Sequence, residues 1–204
     1  MTNLILAVPF KGLPRALRHT GFHPMAREQI LATLQDAGLW LGPQPHLETD
    51  ENFLQIIPYV VFRHGDRVLR YTRSPAGRER RLEGQTSIGI GGHIELADLL
   101  PGPDGPMLGP TIINTAYRES KEELVGVDVD HPEWRGLIVD LEEHVSRVHI
   151  AVAIVCHVKH EDVLSNDPAV AAPAFVEIKS LTRQGDTLES WSRMLVTELG
   201  SAAA

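Results

Sequence analysis

Between Leu99 and Pro110 the chain packs four prolines and three glycines into twelve residues, and neither a regular helix nor a long strand can cross such a stretch. What lies before and after it must be separate elements joined by a loop. Before it comes a glycine-rich strand, Thr86–Ile94. After it comes a helix over roughly Thr111–Val125, with Ile112, Ala116 and Leu124 apolar and Gly126 as its C-cap. Pro110 suits the first turn of that helix, where a missing N–H costs nothing.

Strand signals dominate from Phe53 onward. Ile56–Arg63 is a dense β-branched and aromatic run, His64-Gly65-Asp66 a tight turn, and Arg67–Arg73 alternates before Ser74-Pro75 ends it, which predicts a hairpin. Trp134–Leu141 and Val148–Val158 read as two further strands and Phe175–Ile178 as a short one. A last helix over about Leu188–Leu199 keeps Leu188, Trp191, Leu195 and Leu199 on one face. This order predicts an α/β chain with a mixed sheet between helices.

Residues 1–50 differ from the rest. Proline and histidine are scattered there, and the convincing helical pattern is Pro24–Ala37, with Ile30, Leu31 and Leu34 on one stripe and Gly38 as the stop. We expect an N-terminal extension (1–50), too short for its own domain, that acts in selectivity or as a dimerisation arm, followed by one domain over 51–200. A length of 204 residues suits one substantial core. The balance of 19 Lys+Arg against 27 Asp+Glu, net −8, argues against strong nucleic-acid or anionic-membrane binding, which a basic surface would drive. No apolar run is long enough to span a bilayer, and the first residues lack the pattern of a signal peptide. The single cysteine, Cys156, excludes an internal disulfide and fits a cytoplasmic protein.

The chemistry concentrates at Arg118-Glu119-Ser120-Lys121-Glu122-Glu123. On a helix, Glu119, Glu122 and Glu123 fall at i, i+3 and i+4 and share a face. Like charges so placed cost a helix about 0.2–0.5 kcal/mol a pair. Arg118 can pair with Glu122, yet Glu119 and Glu123 would still repel. A hard divalent cation removes the repulsion, since Mg²⁺ takes carboxylates together with water and substrate phosphate. The plain alternative is a solvated helix surface. Upstream, Gly91-Gly92 ends a strand in a way that permits close backbone approach. The segment is neither a P-loop nor a dinucleotide fingerprint. Cys156 sits in an apolar strand as an inert thiol, His157 and His160 lack the helical spacing of a zinc site, and His93 packs or hydrogen-bonds.

Together these pieces resemble the Nudix hydrolase family, whose box reads G-x5-E-x7-R-E-U-x-E-E-x-G-U, U being a bulky apolar residue. Gly92 takes the first position, Arg118-Glu119 the R-E pair and Glu122-Glu123 the E-E pair. Three departures stand out. Asp98 replaces the first Glu and is followed by nineteen residues rather than seven, Ser120 replaces an apolar residue, and Gly126 arrives one residue late. Within the family, the phrase Ser87–Glu95 is similar to a bacterial subgroup of predicted phosphoesterases.

The resemblance implies an α/β/α sandwich over roughly Phe53–Leu199 and Mg²⁺- or Mn²⁺-dependent pyrophosphate hydrolysis in a nucleoside diphosphate-linked compound. It implies Glu119 and Glu123 as metal ligands, Glu122 as ligand or orienter of the attacking water, the Gly92 carbonyl as a further ligand, and Arg118 as holder of the carboxylate face. The general base is a box glutamate or a member of the later loop Glu142, Glu143, His144. Arg73 and Arg81 are candidates to meet substrate phosphate, and Glu95 to support the site. The alternative is a catalytically idle nucleotide-sensing module of the same fold.

Overall fold

The computed structural model describes residues 2–76, 82–103, 105–181 and 187–201. Its first strands are β1 (Leu4–Pro9), β2 (Gly21–Pro24), β3 (Trp40–Pro43), β4 (Phe53–His64), β5 (Arg67–Arg73), β6 (Thr86–Ser87) and β7 (Gly89–Gly91). After them come β8 (Pro101–Gly102), β9 (Gly105–Pro106), β10 (Leu124–Val125), β11 (Glu133–Val139), β12 (His149–His157), β13 (Leu164–Ser165) and β14 (Val170–Glu177). The helices are α1 (Arg27–Ala37), α2 (Gln44–Leu47), α3 (Leu108–Glu123), α4 (Ile178–Leu181) and α5 (Ser190–Ser201). The chain forms two compact units, one of Met1–Tyr59, Gly91–Ala116 and Trp134–Ala153, the other of Val60–Ile90, Tyr117–Glu133 and Ile154–Ala204. β4, β12 and α3 each begin in the first unit and end in the second.

In the first unit β1 is flanked by two antiparallel partners. Leu4 stands opposite Pro43 and Ala7 opposite Trp40 on β3, while Ala7 and Pro9 meet Gln55 and Phe53 on β4. Ile5, Ala7 and Leu47 are fully buried together, with Phe53 packed against them. β11 pairs antiparallel with β2, Gly136 opposite Pro24 and Val139 opposite Gly21. Only glycine fits at 136, because a Cβ there would lie 2.2 Å from the His23 carbonyl oxygen. α1 buries Ile30, Leu34 and Ala37, the i, i+4, i+7 stripe. The first fifty residues thus contribute three strands that sequence patterning missed. Runs of four to six residues bounded by proline carry too little alternation to register.

The Pro/Gly stretch holds a minimal ladder, Pro101 opposite Pro106 and Gly102 opposite Gly105. The Met107 N–H donates to the Leu100 carbonyl at 2.9 Å. The following helix starts at Leu108 rather than Thr111, and its first turn accommodates Pro110.

In the second unit the expected hairpin is present, with Arg63 opposite Val68 and His64 opposite Arg67. β5 also pairs with β6, Tyr71 opposite Ser87, and along its length with β14, interrupted by a bulge between Ala171 and Ala174. The strand expected at Thr86–Ile94 is split into β6 and β7. α3 stops at Glu123, and Leu124–Val125 turns into a strand paired with β13. Gly126 follows at φ +93°, where a Cβ would collide with the Asp162 carbonyl. Among the described residues no helix is long and apolar enough to cross a membrane.

Candidate active site

α3 ends on charges that its own dipole opposes. Glu119, Glu122 and Glu123 crowd the C-terminal end, where unpaired carbonyls favour cations over anions. Asn166 closes that end from β13's far side: its N–H donates to the Glu123 carbonyl at 2.8 Å and its side-chain amide to the Glu122 carbonyl at 3.1 Å. Lys121, the last-turn cation, hydrogen-bonds Asp128 at 2.6 Å and the Val127 carbonyl at 3.0 Å. Arg118 carries the local neutralisation. Its Nη1 lies 2.7 Å from Glu119 and 3.4 Å from Glu122, so the expected Glu122 pairing is present but Glu119 is the closer partner. The Glu119 side chain is 15% exposed and that of Glu122 57%.

Glu123 is the most perturbed member. Burial, first of all, pushes its carboxyl up to about 8. The Arg73 charge opposes that rise, while Glu119, Asp167 and Glu122 reinforce it. A group in this state holds its proton at neutral pH unless a stronger cation arrives. Between the glutamates, Ser120 is 1% exposed, and its hydroxyl has no hydrogen-bond partner among the described residues. The position is buried as an apolar side chain would be, but holds a polar atom there.

Among the described residues no three His, Cys, Asp or Glu side chains are gathered as a ligand set. The donor chemistry nonetheless fits a hard divalent ion. Mg²⁺ takes one or two protein carboxylates and fills its remaining positions with water and phosphate oxygens. Glu123, held neutral by burial and three anionic neighbours, is a carboxylate whose ionisation such a cation would favour.

Arg73, at the end of β5, bonds through Nε to Glu189 at 2.6 Å. Arg81 lies outside the described residues. The first unit carries the other expected positions. Gly92 follows β7, whose Gly91 lies so near the Pro58 carbonyl that a Cβ would stand 2.9 Å from it. Glu95 accepts a 2.8 Å hydrogen bond from Asn3. Asp98, 3% exposed, accepts the Glu95 N–H at 2.9 Å, and its carbonyl accepts Asn114 of α3 at 3.1 Å. Glu142, Glu143 and His144 are exposed on a polar turn. Asp140 sets that turn, accepting the Glu142 and Glu143 N–H groups at 2.9 and 3.3 Å.

His93 hydrogen-bonds rather than standing alone: its Nε2 lies 3.3 Å from that of His149, whose Nδ1 is 2.7 Å from the Val145 carbonyl. Burial pushes the Cys156 thiol up to about 12, the inert state expected of it. Sequence reasoning missed Asp140, Asn166, Asp167 and Glu189. Each acts through a fold-dependent contact at a turn or an element end, and no spacing in the sequence marks it.

No family model matches the chain. Protein YmaB of Bacillus subtilis (strain 168) is 30% identical over 154 residues, 73% of this chain and 72% of YmaB. The crystal structure of Tm1382, a candidate Nudix hydrolase, is 27% identical with a TM-score of 0.77, covering 96% of this chain and 97% of that one. The MutT protein from Methanosarcina mazei Go1 shares the fold at 20% identity and a TM-score of 0.51, over 74% and 95% of the two chains. So does the Nudix domain of Shewanella oneidensis NrtR, solved with ADP ribose, at 11% identity and 0.53, over 88% and 100%. The likeness to Tm1382 spans nearly the whole of both chains, and on that breadth the chain belongs to the Nudix hydrolases, a family of pyrophosphohydrolases.

Proposed function

We propose that the chain hydrolyses the pyrophosphate bond of a nucleoside diphosphate-linked compound with Mg²⁺ or Mn²⁺, in the cytoplasm. The observation that carries this is Glu123, a carboxyl raised to about 8 among Glu119, Glu122 and Asp167, at a helix end that penalises every one of them. A surface without a task has no reason to gather them. Glu119 and Glu123 would hold the metal, with Glu122 as a further ligand or as orienter of the attacking water and the Gly92 carbonyl as an additional donor.

When bound, the cation supplies charge neutralisation on the bridging phosphates and acidifies a bound water. Hydrolysis adds that water across the P–O–P bridge: one P–O bond forms, the bridging P–O bond breaks, and the water's proton passes to a base. Glu122, and Glu143 with its neighbours Glu142 and His144, are the bases the chain offers. Arg118 holds the carboxylate face in shape from 2.7 Å. Arg73, and Arg81 beyond the described residues, meet substrate phosphate, and Glu95 supports the glycine turn.

One observation favours the idle, nucleotide-sensing alternative: Arg118 already neutralises Glu119, as a metal-free binder would keep it. A panel of nucleoside diphosphate compounds that includes ADP ribose, assayed with Mg²⁺ and with Mn²⁺, separates the two. Turnover by the wild-type chain, lost in Glu122→Gln and Glu123→Gln, is the expected result. Tight nucleotide binding with no turnover across the panel would establish the sensor, and turnover indifferent to both substitutions would remove this site.

A further inference from the structure

We propose that Glu189 is a positioning residue for this reaction: with Ser87 and Ser192 it fixes Arg73 so that the guanidinium meets the substrate's diphosphate. This rests on the reading of Arg73 as a phosphate-binding residue. The geometry lies wholly within the second unit. The Glu189 side chain is 5% exposed, and both of its oxygens are used. One takes Arg73 Nε at 2.6 Å; the other accepts Ser87 Oγ at 2.5 Å and Ser192 Oγ at 3.3 Å.

The anchor is itself tied down. The Glu189 N–H donates to the Thr86 carbonyl at 3.0 Å, and the Ile88 N–H donates to Ser192 Oγ at 3.0 Å. The Tyr71 ring lies 5.7 Å from the guanidinium carbon and spends its own hydroxyl on the Gly89 carbonyl at 3.1 Å. Arg73 keeps 30% of its side chain exposed, and its charge also reaches Glu123.

A buried ion pair is a poor stabiliser in itself, because desolvation cancels most of the attraction. What this arrangement provides is preorganisation. An arginine on a strand end ordinarily gives up rotamer freedom when it grips an anion. One held by a carboxylate that two serines fix in turn, with a ring beside it, has already done so. The Arg73 charge is also felt by Glu123, one of the carboxylates assigned to the metal.

The test measures pyrophosphate binding by calorimetry with saturating Mg²⁺, alongside Mg²⁺ alone, in the full chain. Glu189→Gln should weaken pyrophosphate binding by about tenfold and leave Mg²⁺ binding unchanged. In an Arg73→Gln background the same substitution should add nothing, a pattern that a merely structural role does not produce. Affinity within twofold of wild type, or an equal loss in both backgrounds, overturns the proposal. Should Glu189→Gln fail to fold, Ser87→Ala and Ser192→Ala remove the neutral tethers one at a time. Each should weaken pyrophosphate binding only while Arg73 is present, and no loss in either again overturns it. Because the readout is binding, a chain that holds pyrophosphate but hydrolyses nothing contradicts the hydrolase reading and leaves this one standing. A wild-type chain that turns over substrate yet shows no Glu189 effect does the reverse.

Discussion

Two acidic positions of the same motif, Asp98 and Glu123, meet opposite fates. Asp98 is buried, but the Glu95 N–H satisfies one of its oxygens and its backbone is stitched to α3 through Asn114. Glu123 is raised to about 8 and surrounded by three further carboxylates. A backbone N–H answers the Asp98 carboxylate, whereas Glu123 is buried among like charges. The two positions differ in surroundings: one carboxylate closes a 3-10 turn ahead of an unusually long spacer, and the other is buried among like charges that the Arg73 charge only partly offsets. Residue type does not distinguish the roles. The supply of local donors does.

The largest effect that would break this contrast is on turnover. Glu123→Gln and Glu122→Gln should each cut kcat/KM by about 100-fold or more, equivalent to roughly 2.7 kcal/mol of transition-state stabilisation. Asp98→Asn should stay within about tenfold, since it touches the turn rather than the reacting atoms. Steady-state assays on the best compound of the substrate panel decide it, and equal losses at the two positions would erase the distinction.

A second comparison is thermal stability against pH in chelator. The folded carboxyl of Glu123 is raised above its unfolded value of 4.5, so the fold favours the protonated form. Between about 4.5 and 8 the unfolded chain binds fewer protons than the folded one, and stability must fall as pH rises through that window. Glu123→Gln should flatten the slope. A slope that survives the substitution would assign it to other groups.

Smaller effects follow at the supporting positions. Asp98→Ala removes the acceptor of the Glu95 N–H and should cost about 1 kcal/mol of stability, as loss of a capping residue does, readable in a urea titration. Ser120→Ala should go the other way, gaining about 1 kcal/mol or less by deleting a buried hydroxyl that lacks a partner among the described residues. A destabilised Ser120→Ala variant would mean that the hydroxyl is bonded after all.

The hairpin, the acidic helix and the terminal helix were legible in the sequence because each carries its own period. The Ile56–Arg63 run and the Glu119/Glu122/Glu123 spacing need no tertiary partner to be seen. β1, β2 and β3 were not legible, since strands so short gain their identity from the partner opposite, Ala7 against Trp40 and Gln55 for example. The same holds at the site. Three glutamates on one face follow from helical geometry, whereas the grip of Glu189 on Arg73 joins residues 116 positions apart. Asp98 illustrates the middle case: the motif marks the position, and only the fold reveals that its carboxylate serves a turn.

Whether a divalent cation answers the charge that α3 gathers is tested most directly by titrating the chain with Mg²⁺ in a calorimeter at pH 7, in buffers of different ionisation heat. Saturable binding that releases a proton is expected, seen as a heat that varies with the buffer, with that proton release lost in Glu123→Gln. No binding heat in any buffer, or a proton release that persists in Glu123→Gln, would contradict it.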